Sequence, residues 1–333
     1  MSEPCISMAT QKVSELRRFK GPAKWVQYLL VRCLLMLLQV LSVRLAWKLG
    51  RGIGFVCWKL MGRRRLIVRK NLEIVNDHLR SSSANERPEF KGETSFGSLE
   101  SSGSSPDIEA QVREVFMRAG ANLLTGFPLS RLGVQRMRDH LEVAGVEYLR
   151  AALTEGKGAI MLLAHMGPWE ALAHLPQLAR ENSIEARLGA MYRPLNNFYL
   201  DRWLRVQREI RGTRLFSRRE GFHKPVDFLR SGGILGVLAD QKMREGPIAP
   251  YFGQEVPSSP ISGLFHRRSG APILALSVIT ENTCRWRLEI FPVEVPAGTD
   301  VSDRAAMAEI CNRALGNALS QSPHDGFWFH KRF

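Results

Sequence analysis

The chain has 333 residues, 44 % hydrophobic and 24 % charged, with 47 Lys+Arg against 32 Asp+Glu and a net charge of +15. Its length allows one large or two ordinary domains, its apolar content allows a packed core, and its charge calls for an anionic partner: nucleic acid, an acidic membrane surface or an acidic substrate. Nucleic acid is set aside because no zinc-finger spacing, RNP-like run or heptad-plus-basic region accompanies the charge. The five cysteines (Cys5, Cys33, Cys57, Cys284 and Cys311) form no CxxC or Cys/His cluster, so neither a zinc site nor a disulfide framework is implied. Reduced thiols in a cytoplasmic setting are the default.

Residues 1–24 read as an N-terminal tail, polar over 1–20. Residues 25–76 read as a membrane-associated helical region. The stretch Trp25 to Trp47 is strongly apolar, but it is free of charge only from Cys33 to Val43, between Arg32 and Arg44. A bilayer span needs about 20 apolar residues. Snorkelling arginines and the tryptophans at the two ends would stretch this segment to fit, either spanning the membrane or lying in its interface. A buried helix of a soluble core is the alternative. The run Gly62-Arg63-Arg64-Arg65, followed by Arg69-Lys70, would meet anionic headgroups and favour the cytoplasmic side, unless it is only a solvated basic loop. Residues 77–107, rich in Ser and Gly and poor in large apolar side chains, read as a disordered insertion.

The remainder, 108–333, reads as one folded domain. A helix fits 108–124, with Val112, Val115, Phe116 and Ala119 on one stripe. Strands are expected at 158–164, 186–191, 213–216, 233–239, 272–279 and 286–292. Helices are expected at 168–181, 196–210, 221–231, 258–269 and 302–320. This alternation predicts an α/β fold, a mixed sheet flanked by helices, with an N-terminal membrane-associated helix.

Three groups of residues can carry chemistry. The first is His165 with Glu170, placed where the strand 158–164 ends and a helix opens at Gly167-Pro168. Open α/β sheets hold their ligands at that edge. A neutral imidazole takes a proton on one nitrogen while a carboxylate holds the other N–H, the minimum apparatus for deprotonating a hydroxyl. A helix cap beside a surface charge gives the same pattern. Metal ligation fits poorly, since HExxH is absent and His174 lies nine residues on. The chain also lacks G-x-S-x-G, a P-loop and a dinucleotide fingerprint. The second group is eight arginines at 193, 202, 205, 208, 211, 214, 218 and 219, several of which could converge on one phosphate or simply form a solvated basic helix. The third is Asp240-Gln241-Lys242 at the end of the apolar run Gly233 to Ala239, at the same sheet edge as His165. Asp240 there would orient an arginine or the substrate, or merely end a strand.

Taken together these stretches resemble the bacterial lipid A late acyltransferases of the lauroyl/myristoyl type, within the lysophospholipid acyltransferase superfamily and its H-x4-D/E motif. The matching segments are GAIMLLAHMGPWE (158–170), MYRPLNNFYLDRWLR (191–205), GTRLFSRREG (212–221), LRSGGILGVLADQ (229–241), YFGQEVPSSPISG (251–263), SGAPIL (269–274) and WFHKRF (328–333), with a similar N-terminal stretch from Leu49 to Asn71. They fall in order across nearly all of 140–333. Two departures stand out: Pro168 replaces the family's usual Asn, and the 77–107 segment is longer than the usual link.

The resemblance implies a glycerolipid acyltransferase-like fold with His165 as general base and Glu170 as its partner. It places Arg193 in the family's Tyr-Arg-Pro element and Asp240 at its acidic position, and makes Arg208 and Arg218 supports of the site or phosphate holders. It implies a membrane-bound O-acyltransferase that takes a fatty acyl chain from acyl carrier protein or CoA and gives it to a hydroxyl of an anionic lipid A precursor. No metal or bound cofactor is needed. The implied location is the bacterial inner membrane, with the catalytic domain on its cytoplasmic face. Acylation of a lysophospholipid or another glycolipid, and non-catalytic binding to anionic membranes, remain as alternatives.

Overall fold

The computed structural model describes residues 20–81, 107–169, 172, 179–180, 182–185, 187–210, 212–217 and 221–333. The apolar N-terminal run folds as two helices rather than one. α1 covers Pro22–Val40 and α2 covers Val43–Leu60, separated by Leu41 and Ser42 in extended conformation. The Ser42 hydroxyl caps α2 by accepting from the Leu45 N–H at 3.2 Å. α1 has no buried residue and is long and apolar enough to cross a membrane. The two end tryptophans part company. Trp25 is 48 % exposed, whereas Trp47 is 5 % exposed and sits edge-on to Trp286 at 5.6 Å. Trp47 therefore belongs to the protein core and not to a membrane belt.

α3 (Gly62–Ser81) carries the basic run as helix and continues through residues 77–81, past the point where the Ser/Gly-rich insertion was expected to begin. The rest of that insertion, 82–106, lies outside the described residues. α4 (Ile108–Leu129) starts on Asp107, whose carboxylate accepts from the Glu109 N–H at 2.9 Å. α2 and α4 cross at backbone contact. A methyl group on Gly50 or Gly54 would collide with the main chain at Gly120 or Phe116, so the small residues permit the approach.

After the short α5 (Val134–Arg138) the α/β domain begins. Its strands are β1 (Leu141–Ala144), β2 (Ala159–Leu163), β3 (Leu188–Tyr192), β4 (Thr213–Ser217), β5 (Ile234–Leu238), β8 (Ile273–Asn282) and β9 (Arg285–Pro292). They form one seven-stranded sheet in the order β1-β9-β8-β2-β5-β3-β4. Neighbours pair in parallel except β8 with β9, so the sheet is mixed. All five residues of β2 are buried. A central parallel strand covered on both faces reads as an unbroken apolar run, which is why it was legible. β1 was missed because four residues of sequence LEVA show no period, and β6 (Ile248–Tyr251) with β7 (Gln254–Pro257) forms a separate hairpin.

Helices α6 (Val146–Thr154), α7 (Phe198–Ile210), α8 (His223–Arg230), α9 (Ile261–Ser269) and α10 (Arg304–Ser320) complete the domain. Most of the helix expected over 168–181 lies outside the described residues. α8 covers one face of the sheet, where Phe228 lies against Gly189 and Gly233. Side chains alternate along a strand, so Met161 and Leu163 of β2 and Gly236 and Leu238 of β5 face the other way.

A short 3-10 turn, Pro323–Asp325, returns the chain to the sheet. Within it, burial first and the Arg118 guanidinium second hold His324 below the ordinary imidazole value of 6.5. The folded state thus keeps His324 neutral where the unfolded chain would protonate it. This contribution is fully present above pH 6.5 and is lost as pH falls through the folded value. His330, also lowered by burial first, acts in the same window. Urea unfolding is expected to show stability falling as pH drops below about 6.5, and His324→Gln to flatten that slope. An unchanged slope in the variant would remove His324 from the account.

Candidate active site

β2 and β5 are parallel neighbours with Leu163 opposite Leu238. Two residues past these partners stand His165 and Asp240, so a shared register delivers both to the same strand ends. Asp240 holds His165 twice. Its Oδ2 accepts the His165 backbone N–H at 3.0 Å, and its Oδ1 lies 2.6 Å from ring Nδ1. A carboxylate only accepts, so Nδ1 carries the hydrogen and Nε2 presents its lone pair. Gln241 places its amide nitrogen 3.4 Å from Nε2. Trp169 meets the imidazole edge-on at 5.6 Å and in turn contacts Phe327 at 5.4 Å.

The turn that carries His165 is clamped from the C-terminal segment. Phe327 N–H donates to the His165 carbonyl at 2.8 Å, and Gly167 N–H donates to the Asp325 carbonyl at 3.1 Å. Gly167 needs its φ of +57°, and a Cβ there would strike Val278. Behind the clamp, the Asp325 carboxylate is fully buried and collects hydrogen bonds from Arg118, Asn122, Thr280 and Ser322.

His165 opens onto a cavity of about 900 Å³. Its floor is apolar, built from Met161, Leu163, Gly236 and Leu238, with Leu149 of α6 as a wall. Ala190 and Met161 flank Gly236 in the sheet, so small residues at the centre leave depth above the floor. The lip is cationic: Arg193 follows β3, Arg208 lies on α7, and Lys242 and Arg244 follow Asp240. An apolar trough with a cationic lip and one imidazole fits an acyl chain with an anionic head.

Of the six residues to which the resemblance gave roles, His165 and Asp240 are in contact, and Arg193 and Arg208 line the same cavity. Glu170 and Arg218 lie outside the described residues. Sequence reasoning assigned Asp240 to an arginine or the substrate; the structure puts it on the imidazole. It named Lys242 beside Asp240 without giving it a role, and it passed over Arg244, whose signal was its alternate spacing after Asp240 and Lys242. It also passed over the Asp325 network, which has no local signature.

The Bacterial lipid A biosynthesis acyltransferase model matches residues 105–333, more than half of the chain. The chain belongs to this family. It is 24 % identical over 321 residues to the lipid A biosynthesis palmitoleoyltransferase of Escherichia coli (strain K12), covering 95 % of this chain and 94 % of that protein. The same figures hold for the lipid A biosynthesis acyltransferase of Shigella flexneri. The lipid A biosynthesis lauroyltransferase of Escherichia coli (strain K12) is 22 % identical over 316 residues, 94 % of this chain and 92 % of that one. As a lipid A acyltransferase family member the protein is an enzyme that transfers acyl groups, with an acyl donor and a lipid acceptor. The resemblance drawn from the ordered motifs is thereby borne out.

Proposed function

We propose that the protein is a membrane-bound O-acyltransferase that moves a fatty acyl chain from a thioester, on acyl carrier protein or CoA, to a hydroxyl of a lipid A precursor. The observation that carries the reading is the lock of His165 Nδ1 onto Asp240, which leaves Nε2 as the base beside an apolar trough. The acyl chain lies on the floor with its thioester carbonyl near the imidazole. Nε2 takes the acceptor's hydroxyl proton as the oxygen attacks the carbonyl carbon. The C–O bond forms, the C–S bond breaks, and the imidazolium returns the proton to the departing thiolate. Asp240 stabilises that imidazolium, and Glu170, the carboxylate of the H-x4-E motif, is a further partner of His165. Arg193, Arg208 and Arg218, joined by Lys242 and Arg244, hold phosphates. α1 anchors the enzyme in the bacterial inner membrane with the catalytic domain on the cytoplasmic face, in keeping with the basic start of α3.

Mass spectrometry of lipid A from cells with and without the protein tests the reaction. The expected result is loss of one acyl chain's mass from lipid A. Unchanged lipid A with altered phospholipids would overturn the acceptor in favour of a lysophospholipid. A companion prediction concerns Asp240→Asn, which keeps the shape but removes the acceptor-only carboxylate. Its kcat is expected to fall about 10²–10⁴-fold with KM nearly unchanged, because the tautomer and not the trough is disturbed. Asp240→Glu is expected to recover part of the loss. A fall confined to KM would show that Asp240 binds substrate instead.

A further inference from the structure

α2 has two apolar faces, and only one is used inside the protein. Val43, Ala46, Trp47, Gly50 and Gly54 are buried, against α4 and the core. On an adjoining face, turned to solvent, Leu45, Leu49, Ile53, Val56 and Leu60 are between 44 % and 78 % exposed. Their spacings of three and four keep them on one stripe, about 22 Å long at 1.5 Å per residue. A stripe of this size facing solvent marks a contact surface.

The charge around it names the contact. From Pro22 to Leu72 there is no Asp or Glu, while there are eleven Lys and Arg. Arg44, Lys48, Lys59 and Arg63 are exposed. Arg44 and Lys48 adjoin Leu45 and Leu49 directly, the pattern of a helix lying in a headgroup layer. A second copy of the chain would bring these unneutralised cations face to face, since a two-fold interface apposes the same patch to itself. Anionic lipid neutralises them.

α2 cannot be a second span. Its inner side is packed on α4 and bears Arg51, paired with Glu114 of α4 at 2.8 Å, so that half of the helix is committed to the protein and not to lipid. α1, only two residues upstream, is tied to α7 beside the cavity. Asn197 donates to the Lys24 carbonyl at 2.8 Å, Tyr28 meets Tyr199 at 6.2 Å, and Arg32 lies 4.6 Å over the Trp203 ring. α7 supplies Leu204 and Arg208 to the lip.

We infer that α2 lies in the plane of an anionic leaflet, sunk to its outer stripe, and that with α1 it seats the cavity lip at the lipid surface. The inference rests on the proposed membrane-bound reading and adds a second lipid-contacting element to it. The test uses the full chain, with its native cysteines replaced, in vesicles of phosphatidylethanolamine and phosphatidylglycerol. Spin labels are placed singly on Leu49→Cys, Ile53→Cys, Val56→Cys and Leu60→Cys, with an Arg285→Cys label as the water-facing control. All four are expected to favour oxygen over a nickel chelate and to report one shallow depth. A spanning helix would instead spread positions 49 and 60 over about 16 Å. Phosphatidylcholine in place of phosphatidylglycerol is expected to shift the labels toward water. Labels as nickel-accessible as the control, a depth that increases steadily along α2, spin–spin broadening from a second copy, or indifference to the anionic lipid would each overturn the inference. Acyl transfer by the same proteins separates the two readings. Transfer retained with water-exposed labels removes the surface and leaves the enzyme, whereas seated labels without transfer do the reverse.

Discussion

His165→Ala is expected to lower kcat for acyl transfer by on the order of 10²–10⁴-fold, the span that a positioned general base supplies. The imidazole presents its unprotonated nitrogen to the cavity in a fixed tautomer. Asp240 holds the ring at 2.6 Å, and Trp169 packs on its edge at 5.6 Å. The fold should survive, because the Asp240 carboxylate keeps the His165 backbone N–H at 3.0 Å and its side chain retains 10 % exposure for water to enter. The check is steady-state transfer from an acyl thioester to a lipid A precursor, run beside thermal unfolding of the same preparation. Near-normal turnover would sink the general-base mechanism. It would point to a basic protein that binds anionic lipid without acting on it, whose vesicle binding His165→Ala would leave unchanged.

The largest effect on stability is expected from Asp325→Ala. The carboxylate has no exposed surface and accepts from Arg118 at 3.2 Å, Asn122 at 3.1 Å, the Thr280 N–H at 2.8 Å, and the Thr280 and Ser322 hydroxyls at 2.6 Å. Removing it leaves four buried neutral donors unmet and takes one of two carboxylate partners from Arg118, the other being Glu114 at 3.0 Å. Breaking a buried pair in this way costs about 3–5 kcal/mol, a large part of the 5–15 kcal/mol typical of a domain. Asp325→Asn keeps the volume and some acceptors, and should cost about 1–3 kcal/mol. Activity should fall with it even in the folded fraction, because Gly167 N–H hangs on the Asp325 carbonyl at 3.1 Å and sets the His165 turn. Urea unfolding of the two variants gives the order. Alanine and asparagine costing equally little would show that water replaces the network.

His165 was legible because its signal is local. An apolar run of strand length ending in a polar residue describes β2 and β5 without any neighbour being known. Its partner was harder to find. Asp240 lies seventy-five positions from His165, and nothing near either residue states that β2 and β5 are adjacent. With sequence alone, Glu170 is the nearest carboxylate and so the natural orienter. The split of the N-terminal run was hidden for a related reason. Hydropathy continues through Leu41, and Trp47 looks like a membrane anchor until Gly50 and Gly54 are seen to let α2 drop onto α4.

By itself the sequence determined the α/β class, the sheet-edge positions of His165 and Asp240, the basic apolar N-terminus and the family to which these belong. Each rests on residues close together in the chain, where hydrophobic period and turn chemistry act directly. Only the tertiary structure decided that Asp240 fixes the imidazole tautomer, that Lys242 and Arg244 join the arginines around one trough, and that Asp325 clamps the His165 turn. These depend on strand order and on burial, which distant segments set jointly as they exclude water from a common core.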